Sequence, residues 1–336
     1  MKKVLLTSSK NFFKGNMHCH TNLSDGKKTP EEIKEMYKAA GYSFVAITDH
    51  DVIHNNSYLD DEDFVTITSG EFAIKEFPEL SSLKNRKMRV CHLNFYAKEQ
   101  NNDLNVCYTK IYDKYTKEED KHKINKLYAE DYKRVYTPEC INDMIRLANE
   151  HGFFVAYNHP RWSLENYSHY SKYEGLWGLE VINGGVHSSG LFDYDTPIHD
   201  DFLRDGKRIF ISAGDDNHNG SRNDSFIAFI VVNTEKPLSY DAIIEALLKG
   251  DFYPSAGPLF EELYVEDDIV HVKTSKAKAI YLTTAGRRHD YKLAEPGSFV
   301  TEAEFKILPE DEYFRVDVLD HDGNRADSQA YFIAEL

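Results

Sequence analysis

Cysteine is scarce in this 336-residue chain, and the four present, Cys19, Cys91, Cys107 and Cys140, include no C-x-x-C pair. That spacing indicates neither a disulfide framework nor a thiolate zinc site, and reduced thiols are the simplest reading. Long apolar runs are missing as well. No stretch approaches the roughly 20 residues needed to span a bilayer. The start, Met1-Lys2-Lys3-Val4-Leu5-Leu6, turns polar at Thr7-Ser8-Ser9-Lys10, too soon for a signal peptide. The expectation is a soluble, cytoplasmic protein with no membrane contact. An excess of positive charge is absent too: 40 Lys and Arg stand against 56 Asp and Glu, a formal charge of −16. Phosphate backbones are held by clustered cations, so nucleic acid enters at most as a nucleotide or short oligonucleotide substrate. A small anionic substrate stays in play, because bound divalent cations reverse the field inside an acidic pocket. The chain also lacks a G-x-S-x-G elbow, a Walker P-loop, internal repeats and low-complexity tracts.

What is present argues for a folded α/β protein. The hydrophobic fraction is 41%, with 22 Tyr and 20 Phe, far from a disordered composition. From Val4 to about Gly257, short apolar runs alternate with helix-like stretches, the pattern of a parallel β/α fold. Thr29-Pro30-Glu31-Glu32 opens a helix whose apolar stripe is Ile33, Met36, Tyr37 and Ala40, and Gly41 ends it. The run Phe44 to Thr48 then reads as a buried strand that stops at Asp49-His50-Asp51. The same grammar returns at Thr137-Pro138-Glu139, a helix through Met144 and Leu147 that stops at Gly152. It leads into a strand, Phe153 to Tyr157, ending at Asn158-His159-Pro160. The Tyr- and Lys-rich segment 98–136 reads as a helical insertion or a lid. After Leu259 short alternating strands such as 269–272, 279–282 and 314–318 predict a small all-β domain. The division expected is 1–257 and 258–336, with Tyr253, Phe260 and Tyr264 packing the second part against the first.

The chemistry lies at the strand ends. His18 and His20 stand at i and i+2, on one face of an extended segment where both imidazoles reach one ion. An H-x-H pair is weak evidence among 15 histidines, and context strengthens it. Asp25 follows in the turn Ser24-Asp25-Gly26, then His50 between Asp49 and Asp51. Glu71 follows the run Phe64 to Ile67, and His92 interrupts the apolar run Val90 to Leu93. His159 ends one strand, and Asp216 and His218 form a D-x-H pair after the strand Arg208 to Ser212. Singly, Glu71 reads as a solvated turn residue and His92 as a core histidine. Together, strand after strand delivers a His, Asp or Glu, as expected where strand ends converge on one mouth.

This ordered set resembles the polymerase and histidinol phosphatase (PHP) superfamily, whose marks are H-x-H, T-D-H, a bridging Glu, two later histidines and a terminal D-x-H. The resemblance spans about Asn16 to His218. A looser likeness in Leu247 to Pro258 is similar to the carbaryl-hydrolase-like branch, in which a small β-domain follows the barrel. The resemblance implies a distorted seven-stranded β/α (TIM-like) barrel and a metal-dependent hydrolase. It implies a first metal on His18, His20, Glu71 and Asp216, with Glu71 bridging to a second on His92 and His159. A third would sit on Asp25, His50 and His218. Imidazole and carboxylate ligands suit zinc, manganese or iron without choosing among them.

On that reading two or three divalent ions would activate a water as hydroxide and neutralise phosphate charge in a small mono- or diester. Arg161 is the candidate to grip a phosphoryl oxygen, with a salt bridge as its alternative role. Asp51 or His54 is the candidate acid for the leaving alkoxide. Asp49, Asp51 and Asp215 are read either as supports for ligand imidazoles or as turn residues. Two other functions stay open: a metal-dependent hydrolase of amide, carbamate or ester bonds, and a non-catalytic metal-bound module whose β-domain binds sugar or protein. Oligomeric state is not legible.

Overall fold

Capping chemistry fixes where the main helices begin. Thr29 Oγ1 accepts from Glu32 N at 3.3 Å while the Glu32 carboxylate accepts from Thr29 N at 2.9 Å, a reciprocal cap at the head of α1 (Pro30–Ala39). Gly41, at φ 79°, takes the left-handed turn that ends it. Thr137 Oγ1 accepts from Cys140 N at 3.3 Å to start α2 (Pro138–Glu150), and Gly152 at φ 86° follows. The remaining helices are α3 (Tyr167–Tyr170), α4 (Gly184–Ser188), α5 (Thr196–Arg204) and α6 (Tyr240–Lys249). None is long and apolar enough to cross a membrane.

The computed structural model describes residues 2–6, 11–78, 87–191, 194–220 and 223–336. Its first ten strands are β1 (Lys2–Leu6), β2 (Asn11–Asn16), β3 (Phe44–Ile47), β4 (Val65–Lys75), β5 (Val90–Ala97), β6 (Phe153–Tyr157), β7 (Gly178–Asn183), β8 (Phe210–Gly214), β9 (Phe229–Thr234) and β10 (Phe252–Ser255). The C-terminal region adds β11 (Phe260–Glu266), β12 (Ile269–Ala277), β13 (Ala279–Thr284), β14 (His289–Leu293), β15 (Val300–Lys306), β16 (Tyr313–Leu319), β17 (Arg325–Asp327) and β18 (Tyr331–Phe332). A four-stranded sheet runs β1-β11-β12-β15, and a larger one runs β14-β13-β16-β17-β10-β9-β2-β3-β4-β5-β6-β7-β8 with β18 on β16. This is a mixed α/β fold with a sheet-rich C-terminal region. The first strand of the chain therefore pairs with β11, Lys2 opposite Glu266. Tyr253 and Phe260 meet edge to face at 5.0 Å, whereas Tyr264 stacks on His271 at 4.5 Å within the four-stranded sheet.

The sheet corrects the expectation of all-parallel strands. The pairs β2/β3, β3/β4, β6/β7 and β7/β8 are parallel, but β5 is antiparallel to both β4 and β6. Among the described residues no crossover helix separates β4 from β5, and a parallel pair of successive strands needs one. Segment 98–136 also differs from the helical expectation. Among its residues the only helical turn is a 3₁₀ turn, Lys121–Lys123, yet Val106, Cys107 and Tyr108 are buried and Asn105 Oδ1 accepts from Ile53 N at 2.8 Å. Tertiary docking, in place of a local period, orders it.

Between β8 and β2 the described residues form no ladder, but their continuations meet. Asp216 N donates to His18 O at 2.8 Å and His20 N to Asn217 O at 3.1 Å. A core of Phe44, Phe72, Phe95, Phe153, Leu179, Ile211 and neighbours fills the space behind. Gly214 lets the two segments approach. A Cβ built there would lie 2.4 Å from His18 Cβ and 2.7 Å from His18 N, well inside the usual contact distance of about 3.5 Å. Gly214→Ala is therefore expected to cost about 2 kcal/mol or more and to lower retained metal, checked by denaturant titration alongside elemental analysis.

Candidate metal centre

Glu71 lies well along β4, beyond the end of its neighbour β3, whose last residue Ile47 pairs with Thr68. Its buried carboxylate is ringed by imidazoles. Oε1 lies 3.0 Å from His92 Nδ1, 3.3 Å from His18 Nε2 and 3.3 Å from His159 Nε2, and accepts from Asn158 Nδ2 at 2.8 Å. Oε2 lies 3.1 Å from His50 Nδ1 and 3.5 Å from His20 Nε2. Asp216 Oδ1 is 3.0 Å from His20 Nε2 and 3.3 Å from His18 Nε2. Asp25 Oδ1 is 3.3 Å from His218 Nε2, and its Oδ2 is 3.6 Å from His50 Nε2.

The six histidines and three carboxylates singled out in the sequence thus stand around one another. Four overlapping groups have spacings that can hold an ion: His18, His20 and Glu71; Glu71, His92 and His159; His18, His159 and Asp216; and His20, Asp25, His50 and His218. Among the described residues these groups contain those nine side chains and no other. His20 differs from its expected place by standing between groups, with Nε2 toward Glu71 and Asp216 and Nδ1 3.7 Å from Asp25. His92 comes from the amino-terminal end of antiparallel β5, opposite Ala73.

The donor set fits divalent ions. Ligand atoms about 3.4 Å apart mark the edge of a tetrahedron with bonds of about 2.1 Å, and most of the separations above lie near that value. His18 Nδ1 lies 3.0 Å from the Glu180 carboxylate, a contact that would leave Nε2 as the ligand atom, 3.2 Å from His20 Nε2. Two imidazole nitrogens so close together, beside two carboxylates, suit a shared cation. Burial opposes ionisation of Glu71 and Asp216, but the surrounding imidazoles outweigh it and hold both far below the ordinary carboxylate range. Burial likewise disfavours a charged His218, yet Asp25 and Asp216 push it up to about 9. The pocket therefore attracts positive charge, and protons and divalent ions compete for it.

Backbone strain re-aims the strand ends. Asp51, His159 and Asp216 have φ of 63°, 27° and 48°, left-handed values that cost of order 1–3 kcal/mol each. Backbone donors anchor them: Asp51 N donates to Glu71 O at 2.7 Å, His159 N to Glu180 Oε2 at 3.1 Å and Asp216 N to His18 O at 2.8 Å. Asp49 accepts from Thr21 N at 2.7 Å and Ser24 Oγ at 2.6 Å, bracing the loop from His20 to Asp25. Asp215 accepts from the backbone of Phe226, Ile227 and Ala228, at 2.7 to 2.8 Å, and from Tyr37. Burial raises its pKa to about 6.

The expected proton donors and phosphate grip differ in their surroundings. Asp51 lines the same cavity as the candidate ligands, where it pairs with the Arg134 guanidinium and accepts from Ala73 N at 3.2 Å. His54 bridges to Ser69 outside the four groups, and burial lowers its pKa. Arg161 has 56% of its side chain exposed and lies 3.8 Å from Asp195, the salt-bridge alternative. The cations on the wall of the site are instead Lys75 and Lys114, in a cavity of about 330 Å³ that also includes Tyr115 and Trp162. Those residues escaped the sequence reading, as did Glu180 and Arg134. Glu180 carried a usable signal, a carboxylate inside the apolar strand Gly178–Asn183, the same kind of anomaly that exposed His92.

Comparison with known proteins bears on this centre. Residues 16–211, more than half the chain, match the PHP domain family. The fold is similar to that of a two-domain protein from Bacteroides vulgatus containing a predicted PHP-like metal-dependent phosphoesterase, at 15% identity and a TM-score of 0.47, over 98% of this chain and 97% of that one. A proposed metal-dependent phosphoesterase from Bifidobacterium adolescentis matches at 14% identity and a TM-score of 0.38, over 70% of this chain and 95% of that one. An amidohydrolase from Chromobacterium violaceum, with bound sulfate and no metal, matches at 14% identity and a TM-score of 0.39, over 71% and 96%. No curated protein matches the chain.

Two substitutions separate the roles. Glu71→Gln removes the central charge and is expected to abolish tight metal retention, read as metal per chain after dialysis. Glu180→Gln leaves every direct ligand in place but loosens His18, and should weaken metal affinity by about 10- to 100-fold. An unchanged affinity in competition with a chelating dye would contradict the orienting role of Glu180.

Proposed function

Because the chain belongs to the PHP domain family, we propose that it is a metal-dependent phosphoesterase that hydrolyses a small phosphate mono- or diester with two or three divalent ions. The observation that carries this reading is the convergence of six imidazoles and three carboxylates, Glu71 and Asp216 among them, in an arrangement open to a cavity. A site meant only to staple a fold needs four ligands and no cavity. When bound, the ions supply an activated water and positive charge for phosphate oxygens.

The chain's own groups do the rest. Glu71 joins the ligand groups, Glu180 sets the His18 tautomer, and the Asp51–Arg134 pair keeps His50 turned inward. The size of the cavity, about 330 Å³, suits a small molecule and excludes a duplex. Trp162 packs 5.0 Å from the His159 ring and 5.3 Å from His92, offering an apolar plate beside the ligands. In this proposal β2 to β8 are the seven strands of a distorted barrel, residues 1–257 carry the chemistry, and 258–336 form the β-rich partner domain.

The test is turnover of p-nitrophenyl phosphate, bis-p-nitrophenyl phosphate and p-nitrophenyl acetate by protein loaded with zinc, manganese or iron. Hydrolysis of either phosphate, lost on chelation and restored by metal, is the expected result. Acetate turnover alone would move the assignment to ester and amide chemistry, and metal retention with no turnover would leave a binding module.

A further inference from the structure

Glu71, Ala73 and Lys75 alternate along β4, so all three side chains leave the same face of the strand, and all three line the cavity. Ala73 between the other two leaves the floor open. Lys75 lies about 13 Å from Glu71 along the strand, four residues at about 3.3 Å each. Across the cavity mouth, segment 98–136 contributes Lys114, Tyr112 and Tyr115. Lys75 Nζ sits 5.6 Å from the Tyr112 ring, and Tyr112 OH accepts from Lys75 N at 3.1 Å, which fixes the lysine at that end.

Neither Lys75 nor Lys114 has a carboxylate within ion-pair distance among the described residues. Burial depresses the pKa of half-buried Lys75, and Lys114 and Arg134 add to that against the opposing pull of Asp51 and Glu71. A lysine that lines the cavity beside a second cation, with no carboxylate paired to it, is arranged for an anion that arrives from outside. The neighbouring cavity, about 440 Å³, shares Trp162, Asp216 and His218 with the first, but its described lining includes Asp224 and no Lys or Arg. Among the described residues, Lys side chains thus line the first cavity and not the second.

We propose that Lys75 and Lys114 form a second anion subsite, so that the preferred substrate carries a carboxylate or phosphate at one end and the scissile phosphate ester at the other. This rests on the phosphoesterase reading for the scissile end, but the subsite has its own readout. Binding of propane- to hexane-linked bisphosphonates, ω-phosphonocarboxylates and matching alkyl monophosphonates is measured by calorimetry on the metal-loaded full chain. The doubly anionic ligands are expected to bind about tenfold or more tightly than the monophosphonates, as a charge-assisted contact allows. The better of the two families identifies the terminal group.

That preference should collapse in Lys75→Met/Lys114→Met and persist in Lys75→Arg. Lys114→Glu, at an exposed position, should reverse part of it without disturbing the core. Equal binding of singly and doubly anionic ligands by the wild type would overturn the subsite. So would a double variant that loses affinity for both classes alike, because the lysines would then be holding the metal-proximal phosphonate. A chain that keeps the preference but hydrolyses no phosphate ester would sink the phosphoesterase reading and leave the subsite standing.

Discussion

A carboxylate almost without exposed surface, with five imidazole nitrogens between 3.0 and 3.5 Å of its oxygens, constrains everything around it. Buried Glu71 and Glu180, with partly exposed Asp216 and Asp25 beside them, concentrate negative charge where water screens it poorly. Such a cluster persists only if positive charge enters it and the donors are held from collapsing or drifting apart. The rest of the molecule reads as the apparatus for the second condition. Glu180 fixes one ring, Asn158 holds the central carboxylate, Asp49 ties down the loop to Asp25, and a buried guanidinium braces the turn after His50.

The mixed sheet makes that convergence possible. Parallel strands all point their carboxyl ends one way, so β2, β3, β6 and β8 deliver His18, His50, His159 and Asp216 to a common rim. The antiparallel β5 would present its far end there, and it does: His92 is near its amino terminus, opposite Ala73 on β4. Reversing one strand therefore costs the centre nothing, because a ligand near the opposite end of that strand reaches the same point. Left-handed backbone at Asp51, His159 and Asp216 makes the final correction in aim.

Much of this was legible in the sequence because the nine candidate ligands are residue types out of place: histidines and acids where buried apolar strands end or run. Helix boundaries were legible for an equally local reason, as Thr29 and Thr137 cap through hydrogen bonds spanning three residues. The supporting residues leave weaker traces. Arg134 meets Asp51 across 83 positions of sequence, and nothing near either residue announces the pair. Segment 98–136 looked helical or mobile because it is polar and weakly periodic, whereas its order comes from buried Val106, Cys107 and Tyr108 and from contacts with distant strands. Strand direction was also beyond local reading. A run of apolar residues specifies a buried strand without saying which way it points in the sheet.

The pairing of β1 with β11 has a consequence for how the molecule is made. Lys2 to Leu6 find their partners only at Leu263 to Glu266, so during synthesis β1 waits for them until some 260 further residues have been made. Every one of the nine donors, from His18 to His218, is translated inside that interval. The candidate ion site can therefore assemble before that long loop closes, and its closure can follow as a later step of folding.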